Sequence, residues 1–332
     1  VLLLFYWSLS MEMNMTGYGN NPVKCLRMLA ILLFSASLVL VSGCAGRPQP
    51  VSSQRAAIFT KGKSTQIIRV ESRERKYLLY IPTAYTGKTP LPLVFNFHGS
   101  GSNPEKQLVY SDFISLADEK GFIVVSPAGK FQSYGGNSWN TTMKQGEVND
   151  VQMIKDIIVQ LSMTLPVDLK RVYATGFSGG GRMTIRAACE ISGVLAAVAP
   201  IAGIQFPEQC DTLRGMPVIT FHGQKDLINH YKLSAGSRRY WTSSVEDSVS
   251  GWVKNNRCRR PLPSVQISEV VIKHTWEDCR DSAEVVFYSI ADGGHTWPGS
   301  PVVNNAYWAG KTNTDIVASE LIWEFFSRHA LP

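Results

Sequence analysis

The sequence predicts an α/β protein whose mostly parallel sheet is covered by helices on both faces. Three observations point there. From about residue 58 onward, strand-like apolar runs alternate with segments of helical spacing, the order that builds parallel β-α-β units. The strongest run, Leu91–Phe97 (LPLVFNF), is apolar on nearly every residue, as expected of a strand buried on both faces. Several of these runs end in glycine-bearing loops that also carry Ser, Asp or His, and open α/β sheets gather their sites beyond such strand ends. With 332 residues and 44% hydrophobic content, the chain has ample material for one large domain. No internal repeat and no second domain is visible.

In chain order, the first segment reads as a targeting signal. Met28 to Val41 (MLAILLFSASLVLV) is an apolar run behind Lys24 and Arg27, too short for a comfortable membrane span. It ends in Val41-Ser42-Gly43-Cys44, which resembles the bacterial lipobox. That resemblance implies cleavage before Cys44, its diacylation and a membrane anchor, an ordinary cleaved signal being the alternative. Ala45 rather than Asp follows, which would favour the outer membrane in a Gram-negative cell. Residues 1–43 are therefore expected to leave as a signal peptide, with residues 1–10, ahead of Met11, Met13 and Met15, read as an over-extended start. Residues 44–57, the lipidated Cys44 and AGRPQPVSSQ included, read as a polar tether, and residues 58–332 as one folded α/β domain.

Thr65–Val70 and Lys76–Ile81 alternate as an opening antiparallel pair, and Leu91–Phe97 follows. A helix is expected around Leu108–Lys120, then a strand at Phe122–Ser126 and a Gly/Ser/Asn-rich loop holding Trp139. The next helix runs from Asp150, read as its N-cap, to Met163. Arg171-Val-Tyr-Ala-Thr is a short strand and Arg182–Glu190 a helix. Strands at Leu195–Ile201, Val218–Phe221 and Glu284–Ile290, with helices at Val245–Lys254 and Asp315–Arg328, complete the pattern.

Between that short strand and helix lies Gly176-Phe177-Ser178-Gly179-Gly180, a GxSxG on a sharp strand-to-helix turn, the nucleophile elbow of an α/β-hydrolase. With Gly and Ser each at about 7% of residues, chance alone yields this motif in roughly one such chain in ten, so the partners decide. A serine nucleophile needs a base, and the base needs an acid to hold its tautomer, in the chain order Ser, Asp or Glu, His. Asp226 follows the apolar strand in VITFHGQKD and is the acid candidate, although a turn aspartate would look the same. His295, in DGGHTWPG, is the histidine that follows a late strand on a glycine-rich loop downstream of both. His98 and His222 each precede a glycine at a strand end, His230 and His274 lie in polar segments and His329 in the tail. The oxyanion hole needs two backbone N–H groups, assigned to Gly179 and to Ser100 in His98-Gly99-Ser100, with Gly99 the fallback. His98 reads as a brace for that loop rather than a second base.

Cys25 leaves with the signal and Cys44 is the lipid site, so Cys189, Cys210, Cys258 and Cys279 remain for two disulfides in an exported domain. Three pairings are possible. Sequence neighbours favour Cys189–Cys210 and Cys258–Cys279, each closing a loop of roughly 20 residues, about 3 kcal/mol in the chain-entropy view. A metal site is not expected, since CxxC and HxxxH spacings are absent. The whole-chain charge of +7 becomes +6 once Lys24, Arg27 and Glu12 leave. Arg238, Arg239, Lys254, Arg257, Arg259 and Arg260 flank one predicted helix, a solvated face or an attraction for anionic substrate. Nucleic-acid binding has no motif behind it.

Taken in order, FHGSGSN, RVYATGFSGGGRMT, FHGQKD and DGGHTWPG resemble the esterase family of polyhydroxybutyrate depolymerases and feruloyl esterases, over roughly Lys76 to Ala330. Gly251-Trp252 leading to Cys258, Cys279 before the last strand, and Tyr231 five residues after Asp226 fit the same pattern. The resemblance implies a Ser178–Asp226–His295 triad, no bound cofactor, and little or no lid. Two departures stand out. Gly179 replaces the Asn that members often carry, and Thr141-Thr142 stands where many have a cysteine pair. Trp139 and Trp297 are candidate substrate contacts, with ordinary packing an equal alternative. The expected activity is a monomeric serine esterase acting on oligomeric or polymeric 3-hydroxyalkanoate esters. Feruloyl or acetyl xylan esters are the alternative substrates, and a non-catalytic surface lipoprotein is the alternative of another class.

Overall fold

The computed structural model describes residues 60–133, 136–142, 146–302 and 306–332. The expected signal, lipid site and tether lie outside the described residues. Among the described residues, no helix is long and apolar enough to cross a membrane.

The chain opens with β1 (Gly62–Val70) and β2 (Arg73–Ile81), then β3 (Leu91–Phe97), α1 (Pro104–Ser111), α2 (Phe113–Lys120) and β4 (Ile123–Pro127). A hairpin of β5 (Phe131–Ser133) and β6 (Gly136–Ser138) leads to α3 (Asp150–Ser162) and β7 (Val167–Phe177). Then come α4 (Gly179–Glu190), β8 (Ala197–Ile201), β9 (Val218–Gly223) and α5 (Val245–Asn255). Short β10 (Arg260–Pro261) and β11 (Val265–Gln266) precede β12 (Val271–Glu277), β13 (Val285–Ile290) and α6 (Ala318–Ser327). The main sheet runs β1-β2-β4-β3-β7-β8-β9-β13-β12-β10, with β11 also on β12. The strands from β4 to β13 along this path are parallel, and antiparallel strands close both edges. This is the α/β-hydrolase architecture that the sequence predicts.

Side-chain alternation explains the continuous apolar runs. On β3, Leu93, Phe95 and Phe97 face a core shared with Ile154 of α3, Met183 of α4 and Trp252 of α5. Val94, with Tyr173 of β7, faces the other core, built on Leu108 of α1, Leu116 of α2 and Phe325 of α6. A strand that feeds two cores has no polar face to show. Asn96 interrupts the run and is buried, but its side chain donates to Ser111 Oγ and accepts from Gln107 Nε2, both at 2.8 Å.

Several expectations are corrected. The single helix at 108–120 is two, because Asp112 sits in the left-handed region (φ 51°) between α1 and α2. Asn149, not Asp150, caps α3, its side chain accepting from Gln152 N at 3.1 Å. Asp150 is instead wholly buried: Oδ1 takes the Arg75 guanidinium at 2.7 Å and Oδ2 accepts from Asn140 N at 2.8 Å. Strand β12 (VIKHTWE) is not expected from the sequence because, beside only the short outer strands β10 and β11, every residue after Val271 is just partly buried and Lys273, His274 and Glu277 break the alternation. The last helix starts at Ala318 rather than Asp315, whose carboxylate accepts from Ser268 Oγ. Both disulfides have the expected pairing, Cys189–Cys210 and Cys258–Cys279.

Removing one member of the buried Arg75–Asp150 pair strands the other charge. Asp150→Ala is expected to lower the unfolding free energy by about 3–5 kcal/mol in urea titration. A loss below about 1 kcal/mol would mean that water reaches Arg75.

Candidate active site

Ser178 joins β7 to α4 with φ 56° and ψ −111°, a conformation that costs a non-glycine residue about 1–3 kcal/mol. The turn is held on both sides, Ser178 N donating to Ile201 O (2.8 Å) and Ser178 O accepting from Arg182 N (3.0 Å). The glycines are demanded by crowding. A Cβ on Gly176 would lie 2.6 Å from the Gly180 carbonyl, and one on Gly180 only 2.1 Å from Phe97 O. The elbow and the end of β3 thus touch backbone to backbone.

That contact brings the loop after β3 against the start of α4. Gly179 is the first residue of α4, where an amide has no intrahelical acceptor. A Cβ at Gly179 would come within 3.0 Å of Ser100 N and 2.3 Å of Ser100 Oγ. The two amides assigned to the oxyanion hole are therefore neighbours, and an Asn at 179 would collide with the Ser100 hydroxyl. Ser100 Oγ shares a 2.7 Å hydrogen bond with Ser138 Oγ, and Gly101 N donates to Asn137 O at 2.8 Å.

His98 braces this loop. Its Nε2 lies 2.9 Å from Gly129 N, which can only donate, and its Nδ1 lies 2.7 Å from Gly99 O, which can only accept. The two partners require the neutral Nδ1–H tautomer. Burial depresses its pKa, against smaller opposing contributions from Gly99 O and Glu105. Trp139 is almost wholly buried; its Nε1 donates to His98 O at 2.7 Å and its ring packs edge-on to Phe97. Its role is chiefly to prop the His98 loop, although it also borders the cavity described below.

Asp226 lies in the turn after β9. Oδ1 accepts from Ile228 N and Asn229 N, both at 2.8 Å, and Oδ2 lies 2.7 Å from His295 Nδ1. His222 Nε2, which donates to Asn229 O at 2.8 Å, is 3.3 Å from the same Oδ2. Burial would raise the Asp226 pKa, but His295 and His222 outweigh it and hold the carboxyl well below the usual carboxylate range. His222 is a site residue that the sequence reading left as one of two histidines before a glycine. Its signal was its place four residues ahead of Asp226 at the end of the same strand.

Ser178 and His295 line one cavity of about 1310 Å³. Its wall includes Ser100, Tyr110, Phe177, Tyr240 and the pair Thr141-Thr142. Trp297 does not reach it: the ring is fully buried, edge-on to Phe113, with Nε1 donating to Ser319 Oγ at 3.0 Å. Its expected substrate contact is thus corrected to a core role, set by α2 and α6 closing over it. A further tryptophan at the cavity edge is Trp308, 49% exposed, which sequence analysis does not single out. Among the described residues, no three His, Cys, Asp or Glu side chains group to hold a metal.

A serine on a strained elbow, two amides beside it and a carboxylate-bound histidine on the same cavity stand together on an α/β-hydrolase fold. The chain belongs to the family described as Esterase PHB depolymerase, which matches residues 75–244. It is 28% identical to a bifunctional acetylxylan esterase/xylanase of Neocallimastix patriciarum over 69% of this chain and 32% of that protein. It is 29% identical to feruloyl esterase B of Piromyces equi over 67% of this chain and 42% of that protein. The chain thus spans less than half the length of these two relatives. Among solved structures, the acetyl xylan esterase from Aspergillus awamori superposes with a TM-score of 0.57 at 14% identity, over 80% of this chain and 99% of that one. This likeness shows the fold.

A bracing role for His98 has a distinct signature. His98→Ala is expected to cost about 1–3 kcal/mol of stability, since Gly129 N loses its buried acceptor. The acid limb of the kcat/KM–pH profile for a p-nitrophenyl ester should stay in place even if kcat falls. A displaced limb would make His98 a titrating participant.

Proposed function

We propose that the chain is a serine esterase that hydrolyses carboxylic esters through Ser178, His295 and Asp226. The observation that carries this reading is the 2.7 Å His295–Asp226 hydrogen bond on the cavity that also holds Ser178. With Nδ1 committed to Asp226, the Nε2 of His295 is left to take the Ser178 proton as Oγ attacks the ester carbonyl. The Gly179 and Ser100 amides would hold the resulting oxyanion. Collapse expels the alcohol, which takes the proton back from His295 and leaves an acyl-serine. Water, deprotonated by the same nitrogen, then releases the acid and regenerates the hydroxyl. Asp226, whose carboxyl is held below the usual carboxylate range, stabilises the imidazolium in both steps.

The substrate we propose is an ester of hydroxy acids in oligomeric form, in keeping with the family to which the chain belongs. Feruloyl or acetyl esters of xylan are the second reading, favoured by the names of the curated relatives. Two disulfides suit an oxidising compartment, so we place the enzyme outside the cytoplasm, held by a lipid on Cys44.

Ser178→Ala should abolish hydrolysis of p-nitrophenyl butyrate while leaving the thermal melt intact, and undiminished turnover would remove the serine from the mechanism. Asp226→Asn should reduce kcat by about 10⁴-fold, because an amide does not hold the imidazole in the required tautomer. Comparing kcat/KM for 3-hydroxybutyrate oligomers, methyl ferulate and acetylated xylan decides between the two substrate classes.

A further inference from the structure

Arg182 stands in the cavity without a part in the chemistry just described. It lies in the first turn of α4, four residues after Ser178, and lines the same cavity as Ser178 and His295. Its guanidinium carbon sits 3.9 Å above the centre of the Tyr240 ring. Tyr240 is fixed in turn by its carbonyl, which accepts from Gln205 Nε2 at 2.8 Å. The Arg182 Nε is enclosed and has no hydrogen-bond partner. Among the described residues, no carboxylate lies within ion-pair distance of this guanidinium. Arg186, one turn further along the helix, shows the contrast: it is satisfied by Glu190 Oε1 at 2.5 Å and by the Asn140 carbonyl.

The Nε of this guanidinium is shut off from water while the side chain as a whole is only partly buried, and stacking on one aromatic ring offsets only part of the hydration so lost. Arginine cannot escape by losing its proton at ordinary pH. The surroundings point to what would complete it. Arg238 and Lys106 also line the cavity, and Glu105 is the one carboxylate on its wall among the described residues; its side chain is exposed. The wall therefore carries a net positive charge, and the planar guanidinium fork matches a carboxylate in two-point contact.

We propose that Arg182 is a substrate-recognition residue that binds a carboxylate on the ester, with Arg238 drawing the anion into the cavity. The ligand class is an ester bearing a free acid group, such as the carboxyl end of a short hydroxy-acid oligomer. Neutral feruloyl or acetyl esters lack that group. The inference rests on the serine-esterase reading and sharpens its substrate class.

The test compares the 3-hydroxybutyrate dimer as the free acid and as its methyl ester, with p-nitrophenyl butyrate as a neutral reference. For the wild-type protein at low salt, kcat/KM for the free acid should exceed that for the methyl ester by about tenfold or more, mainly through KM. Added salt should narrow that ratio. Arg182→Met should bring the ratio near one, and Arg182→Lys should retain part of it. A wild-type ratio of one or less, or an unchanged ratio in Arg182→Met, overturns the proposal. Should Arg182→Met fail to fold, the wild-type ratio and its salt dependence decide alone. If p-nitrophenyl butyrate is cleaved without any preference between the dimer forms, this inference fails and the esterase reading stands. If no ester is cleaved, both fail.

Discussion

The rest of the structure depends on one close approach, the N-terminal end of α4 lying against the last residue of β3. Gly180 fits there because a Cβ would fall 2.1 Å from Phe97 O, and Gly176 fits for a related reason. This crossing forces Ser178 into its strained turn and lifts it from the sheet. It also sets the loop that continues from β3 directly beside the first amide of the helix. The positions of the proposed nucleophile and oxyanion donors are thus products of one packing contact between β3, its parallel neighbour β7 and the helix that follows β7. The strain is sustained because two cores, one on each face of the sheet, hold β3 and β7 in register.

A second chain of contacts keeps the oxyanion loop from relaxing. Arg75 on β2 holds Asp150, Asp150 accepts from Asn140 N, and the adjacent Trp139 donates to His98 O. His98 then spans from Gly99 O to Gly129 N. The buried charges are several residues away from the chemistry, yet they fix the loop that would hold the oxyanion. Asp226 follows the same logic on the other side of the cavity. A buried carboxylate is expensive unless its lone pairs are filled, and two amides with two imidazole N–H groups fill them. The imidazole of His295 is oriented as a consequence.

Some of this was readable in the chain. The GxSxG elbow, the strand-end loops and the Ser–Asp–His order are local patterns, and each carries its meaning within a few residues. Both disulfides were legible because each joins sequence neighbours. What escaped was set by non-local packing. Asp150 looked like a cap because its neighbourhood is a helix start, but its partner Arg75 lies 75 residues away in sequence. Trp297 sits two residues from His295, yet α2 and α6 close over it, while the exposed Trp308 reaches the cavity edge. Arg182 reads as an ordinary helix residue until Tyr240, from a distant loop, is found under it.

The sequence by itself determined the fold class and the cysteine pairs and marked the candidate nucleophile, acid and base, because hydrophobic period, turn glycines and motif order are properties of short stretches. The tertiary structure decided which side chains meet at the cavity and which are consumed by the core. It brought His295 to Asp226, took Trp297 away from the cavity and, among the described residues, left Arg182 without a counter-ion. Such outcomes follow from the distances between elements far apart in the chain, and no local pattern encodes those distances.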